Sequence, residues 1–238
     1  MGTTSFLIDD RIAIDAGALA RRLSVEEQAR IDHVFFTHSH LDHVVGLPFL
    51  LDSVFEERRE PVIAHGSEQT LAALEQHVFN NVIWPDFRKL CNAHGPLLAF
   101  EALEPGRVQR LGDVALVPFA LDHSVPCLGY LVQSATGSVA ICGDTCSIDG
   151  LLEALGAVRN LKAVILEASF PRALEAVAKA SRHLSTDGLA REVARLPPDL
   201  PVLVTHLKPE CADVIADEIA ALGLPQVALL EEQREYEF

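Results

Sequence analysis

The sequence predicts one domain of mixed α/β (α+β) architecture, an αββα sandwich of two packed mixed sheets with helices on the outer faces. Three observations lead there. The 238 residues are 49% hydrophobic, enough to bury a large core. Short apolar β runs come in two batches, one in each half of the chain, and helical patterns follow each batch. No low-complexity linker and no repeat of about 20–50 residues interrupts them, so residues 1–238 read as a single domain.

The elements follow in order. Ser5–Ile8 and Arg11–Ile14 are apolar runs separated by Asp9-Asp10, a two-residue hairpin signal. Further β runs are His33–Phe36, Pro61–Ala64, Val108–Leu121 with a turn at Gly112-Asp113, Leu128–Val132, Ser138–Ile141, Ala163–Leu166 and Val202–Val204. Ser67 caps a helix that carries Leu71, Leu74 and Val78 on one face. Pro171 opens another. Thr186–Leu196 spaces Leu189, Val193 and Leu196 at helical intervals, and Pro209–Leu222 does the same with Ile215, Ile219 and Leu222 before stopping at Gly223 and Pro225.

The formal charge is −15, from 34 acidic and 19 basic residues, which disfavours long polyanions because nucleic-acid binding needs clustered Lys and Arg. A small anion remains compatible if a local cation captures it. Arg21–Arg22 and Arg58–Arg59 read as solvated helix faces. Five cysteines (91, 127, 142, 146 and 211) include no C-x-x-C pair and read as buried reduced thiols of a cytosolic protein. No basic leader and no run of about 18 apolar residues is present, so the expectation is a soluble cytoplasmic protein without membrane contact.

The decisive segment is Val34-Phe-Phe-Thr-His38-Ser-His40-Leu-Asp42-His43, where an apolar strand runs into four metal-competent side chains. His38 and His40 are two apart, so in extended chain they point the same way and can grip one ion. A turn after them would aim Asp42 and His43 at a neighbouring position. Imidazole with carboxylate suits zinc or a similar borderline ion. The same grammar recurs where strands ending at Val117–Leu121, Val139–Cys142 and Val202–Thr205 are followed by His123, Asp144 and His206.

In that order, these motifs resemble the metallo-β-lactamase superfamily. The resemblance spans residues 5–208 and implies the αββα metallo-β-lactamase fold with two divalent ions, zinc foremost and manganese or iron as substitutes. It implies His38, His40 and His123 on the first metal, Asp42, His43 and His206 on the second, Asp144 bridging, and Asp15 of Ile14-Asp-Ala-Gly17 supporting the site without ligating. The third motif, His123-Ser-Val-Pro-Cys-Leu-Gly129-Tyr130, is similar to the phosphodiesterase branch. Phe79-Asn-Asn-Val-Ile-Trp84-Pro85, Glu167-Ala-Ser-Phe-Pro171, His183-Leu-Ser-Thr and Thr205-His206-Leu-Lys208-Pro209 resemble blocks of its class II cyclic nucleotide phosphodiesterases. A short N-terminus and Cys127 depart from that pattern.

The implied reaction is hydrolysis of a 3′,5′-cyclic nucleotide (cAMP or cGMP) to its 5′-monophosphate, with water activated by the ions near neutral pH. Asp42 then counts as catalytic as well as a ligand. His183 is either the general acid for the ribose leaving group or a capping or core histidine. Lys208 is either a phosphate contact or a solvated lysine, and Trp84 either a base contact or plain packing. The alternatives are a tRNA 3′-processing endonuclease, another lactone or thioester hydrolase of this fold, or a metal-bound interaction module. The partner expected is a small cyclic nucleotide, not long nucleic acid; the sequence does not set the oligomeric state, and the resemblance allows a homodimer.

Overall fold

Asp9 and Asp10 both take left-handed backbone (φ 48° and 59°), and the Arg11 N–H closes the turn onto the Ile8 carbonyl (3.2 Å). The antiparallel hairpin of β1 (Phe6–Ile8) and β2 (Ile12–Ile14) is as expected, but Ile8 pairs with Ile12, so Arg11 joins the two aspartates in a three-residue connection rather than a two-residue one. The computed structural model describes residues 3–156, 158 and 160–238. These divide into two compact units, Thr3–Leu103 and Glu104–Phe238, each with its own sheet and core.

In the first unit the hairpin is extended by β3 (His33–Phe35) and β4 (Val62–Gly66), and a two-stranded ribbon, β5 (Cys91–Asn92) and β6 (Gly95–Pro96), leads into β7 (Leu98–Ala102). The sheet order is β1-β2-β3-β4-β7, parallel from β2 onward. Alternate residues Ala13, Val34, Val62, Ala64 and Leu98 enter one core. The helices that share it are α1 (Leu19–Arg22), α2 (Val25–Gln28), α3 (Leu41–Val44), α4 (Gly46–Ser53) and α5 (Glu68–His77), supplying Leu47, Leu50, Leu51, Leu71 and Leu74 among others. The Ser67 hydroxyl accepts the Thr70 N–H (3.1 Å), as its capping signal predicts. Ser24 and Glu27 form a reciprocal capping box on α2.

Arg58 corrects an expectation. Instead of lying on a solvated helix face it is buried, donating to the carbonyls of Ala29, Ile31 and Glu60 and pairing with Asp32 (3.2 Å). Those loop carbonyls have no ladder partner, and a guanidinium with five donors satisfies several at once.

The second unit is built on β8 (Gln109–Leu111), β9 (Val114–Leu121), β10 (Cys127–Gln133), β11 (Ser138–Ile141), β12 (Leu161–Glu167), β13 (Val202–Thr205) and β14 (Val227–Leu229). They lie in the order β14-β13-β12-β11-β10-β9-β8. Pairing is antiparallel from β8 to β11 and parallel from β11 to β14. The parallel part reads as unbroken apolar runs such as Ala163–Leu166, as a strand covered on both faces should. Helices α6 (Asp149–Leu155), α7 (Glu175–Ser181), α8 (Thr186–Val193) and α9 (Ala212–Ala221) flank it. Leu189, Val193, Ile215 and Ile219 pack with Val164, Leu166, Val202 and Val204.

The mixed α/β class is therefore as expected, two mixed sheets each with helices. Of the cysteines expected to be buried, Cys127 and Cys142 are, Cys146 and Cys211 are partly so, and Cys91 is exposed. Among the described residues no helix is long and apolar enough to cross a membrane.

Candidate metal centre

Each unit carries one cluster of donors, and in each a buried carboxylate organises the histidines.

In the first unit β3 ends at Phe35, and the chain delivers Thr37 and His38 buried at the end of the sheet. His40 precedes α3 in extended conformation, so Asp42 and His43 fall in its first turn rather than in an open turn. The His38 ring lies 4.5 Å from that of His40 and 4.2 Å from that of His43, centroid to centroid. Asp42 Oδ2 is 4.0 Å from His43 Nε2. Asp15, completely buried with φ 58°, accepts the Thr37 N–H (2.8 Å), the Thr37 hydroxyl (2.8 Å) and the His43 Nδ1 proton (2.7 Å). These bonds fix tautomers. With its proton given to Asp15, the Thr37 oxygen can only accept from His38 Nδ1 (3.0 Å). Both rings therefore carry their lone pair on Nε2, the atom that could hold a metal ion, and Asp15 orients the imidazoles from their Nδ1 side.

The backbone here permits little else. A Cβ on Gly17 would stand 1.8 Å from the Asp42 carbonyl oxygen, and one on Gly46 1.9 Å from that of Ala16. The Asp15–Gly17 segment and the start of α3 touch main chain to main chain, and glycine is what lets them.

In the second unit the donors leave one rim of the sheet, because β9 and β11 are both antiparallel to β10, and β12 and β13 are parallel to β11. His123 follows β9, Asp144 follows β11, Glu167 ends β12 and His206 (φ 61°) follows β13. His123 Nδ1 donates to the Arg182 carbonyl (2.9 Å), leaving the lone pair on Nε2, and burial pushes its pKa down toward the neutral, ligating form. Its Nε2 is 4.0 Å from Asp144 Oδ2, while His206 Nε2 is 3.4 Å from Asp144 Oδ1. The two oxygens of one carboxylate thus face two different imidazoles.

Glu167 plays the part here that Asp15 plays in the first unit. Buried, it accepts the Thr145 N–H (2.8 Å), the Leu184 N–H (3.3 Å), the Ser169 hydroxyl (2.6 Å) and the His183 Nδ1 proton (2.7 Å). With its own proton on Glu167, Ser169 Oγ accepts from His206 Nδ1 (2.9 Å). One carboxylate so orients two imidazoles and anchors the loop after Asp144. Ligand atoms of Asp144, His183 and His206 lie within 4.8 Å of one another.

Every sequence-predicted donor therefore belongs to one cluster or the other: Asp15, His38, His40, Asp42 and His43 to the first, His123, Asp144, His183 and His206 to the second. Lys208 is partly buried two residues after His206. Trp84 packs edge-on against Phe49 (5.2 Å, 64°) and borders the first core. Sequence reasoning passed over Thr37, Glu167 and Ser169 as individuals. Glu167 had a signal, a carboxylate ending the apolar run of β12, the same grammar that marks Asp144. Imidazoles with Nδ1 engaged, together with carboxylates, form a nitrogen–oxygen donor set that fits zinc or a comparable divalent ion.

The family model described as "Beta-lactamase superfamily domain" matches residues 6–207. The chain is similar to 3′,5′-cyclic-nucleotide phosphodiesterase 1 of Saccharomyces cerevisiae, 27% identical over 238 aligned positions that cover 86% of this chain and 61% of that protein. It is 32% identical to a ribonuclease Z of Treponema pallidum over 116 positions, covering 48% of this chain and 34% of that one. The crystal structure of unliganded yeast PDE1 superposes with a TM-score of 0.73 at 24% identity, covering 87% of this chain and 69% of that one. The chain spans less than two-thirds of the length of the curated relatives compared here. From its matched span of 202 positions, the chain belongs to the beta-lactamase superfamily.

Proposed function

We propose that the two clusters together hold two divalent ions and that the chain is a phosphodiesterase hydrolysing 3′,5′-cyclic nucleotides to 5′-monophosphates. The observation that carries this is Asp144, whose two oxygens face His123 on one side and His206 on the other, as a carboxylate shared by two ions would. In this reading His38, His40 and His123 hold one ion, Asp42, His43 and His206 the other, and Asp144 both. The ions, zinc foremost with manganese or iron as substitutes, supply Lewis acidity and an activated water near neutral pH.

The chain's own residues do the rest. Asp42 and Asp144 offset only part of the ionic charge, so the site stays cationic within a protein of net charge −15 and attracts a single phosphate. Asp15 and Glu167 hold the imidazoles in one tautomer. Glu167 also fixes the ring of His183 through Nδ1, presenting Nε2 as the group that protonates the departing ribose oxygen. Lys208 adds a cation beside the phosphate. Units 3–103 and 104–238 act as one catalytic domain, cytoplasmic in keeping with five cysteines that include no C-x-x-C pair.

Similarity to ribonuclease Z favours a second reading, a tRNA 3′-processing endonuclease. Against it stand the acidic charge and the short path from His123 to Asp144, which β10 and β11 fill with one hairpin turning at residues 134–137. The deciding experiment incubates metal-loaded protein with cAMP, cGMP and a precursor tRNA. Formation of AMP or GMP supports the proposal. Cleaved tRNA with untouched cyclic nucleotides replaces it by the second reading.

A further inference from the structure

The motif that supplies His40 and Asp42 also places Leu41 between them, and Leu41 is 67% exposed. A large aliphatic group has no part in holding an ion. The chain continues through Val45 in helical conformation into α4, so Leu41, Val45 and Phe49 fall at i, i+4 and i+8 on one face. Phe49 is 49% exposed, and the Trp84 ring meets it edge-on. Next to Trp84 stand Val82 and Ile83, exposed by 84% and 66%. That knuckle is rigidly built: Asn80 Oδ1 accepts the N–H groups of Val82 (2.9 Å) and Ile83 (2.8 Å), and Asn81 Oδ1 accepts that of Asp86 (3.1 Å).

An apolar stripe thus starts at the metal motif and runs along the helix to an aromatic pair. Eight residues of helix advance about 12 Å, the reach of a nucleoside from its phosphorus to the far edge of its base. Aromatic faces bind any base by stacking, with little demand on hydrogen-bond pattern. From this placement we infer that Leu41 and Phe49 form the wall on which the substrate's nucleobase lies, with Trp84 as the buttress of Phe49 rather than the stacking surface. The inference rests on the phosphodiesterase reading for its substrate class. It makes the protein selective for nucleotides over base-free phosphates and tolerant between purines.

Trp84 is the sole tryptophan, so its emission reports directly on its neighbour Phe49. The metal-loaded 238-residue chain is titrated with AMP, GMP and ribose 5-phosphate while tryptophan fluorescence is followed. The expected result is a saturable change with both nucleotides and none with ribose 5-phosphate, and an AMP dissociation constant raised about tenfold in Phe49→Ser and in Leu41→Asp. Equal responses to AMP and ribose 5-phosphate, or unaltered AMP affinity in both folded variants, would overturn it. So would sedimentation showing a dimer that Phe49→Ser dissociates without weakening AMP, since a second copy would then be the occupant. Product binding needs no turnover, which separates the two ideas. Quenching by AMP without cyclic-nucleotide hydrolysis retains the wall and removes the proposed reaction; hydrolysis without quenching does the reverse.

Discussion

The two units solve one problem by different means. The first gathers its donors from a single stretch, with His38, His40, Asp42 and His43 spanning one strand end and one helical turn. The second collects His123, Asp144, Glu167, His183 and His206 from five separated segments, which only the parallel register of β11, β12 and β13 brings to one rim. Both converge on the same device. A buried carboxylate, Asp15 or Glu167, accepts a main-chain N–H, a hydroxyl and an Nδ1 proton, and so fixes the direction in which an imidazole points its Nε2. A local cluster needs one brace, and a dispersed one needs its brace to tie loops together as well.

The comparison can be tested hardest at Asp144. Asp144→Ala should lower kcat by about a thousandfold, the upper range for losing a charge-stabilising element, and elemental analysis should find metal lost. Full metal content with near-normal turnover would remove the bridging role. Next come the braces. Glu167→Gln and Asp15→Asn should each weaken metal binding by about 10- to 100-fold, measured by competition with a chromogenic chelator. Glu167→Gln should be the worse of the two, because besides orienting two imidazoles, as Asp15 does, it holds the Thr145 and Leu184 N–H groups of two separate segments. Equal losses would mean that dispersion of the cluster is irrelevant.

A smaller effect tests the close approach in the first unit. Gly17→Ala forces a methyl against the Asp42 carbonyl and should cost about 1–3 kcal/mol in urea unfolding, with metal affinity reduced in parallel. Stability lost with unchanged affinity would separate the backbone contact from the site. The smallest effect concerns pH. His65 is bonded to His33 (3.0 Å) and stacked on Phe35, and burial, followed by repulsion from His33, lowers its pKa to about 3. The unfolded chain binds that proton near pH 6.5, so the unfolded state holds more protons between about 3 and 6.5, and stability falls as pH drops through that window. Between pH 6.5 and 5.5 the loss is at most about 1.4 kcal/mol. His65→Gln should flatten that slope in thermal melts, and an identical slope would assign the acid sensitivity elsewhere.

The same contrast explains what could be read from the sequence. The first cluster was legible because its spacing is itself the geometry: two residues apart on an extended chain, then one turn of helix. In the second, the strand-end rule found His123, Asp144 and His206 one at a time, since an apolar run ending in a donor is a local signal. Glu167 and Ser169 were not legible as a brace, because their partners Thr145, Leu184 and His206 are neighbours only once β11, β12 and β13 are in register. Arg58 misled for a related reason, as the carbonyls it satisfies belong to a loop some thirty residues away. Short elements such as β5, β6 and β14 have too few residues to establish a period. The hairpin at Asp9-Asp10 and the cap at Ser67 needed no distant partner and were found where expected.

Since the second unit's donors all leave one edge of the seven-stranded sheet, the opposite edge is chemically idle. There the chain reverses at Gly112-Asp113 and at residues 134–137, both exposed or nearly so. A strand of seven residues such as β10 separates the two edges by about 20 Å. Those reversals are accordingly the places to graft an affinity peptide, a fluorophore or a surface tether, leaving the reactive edge facing away from the support.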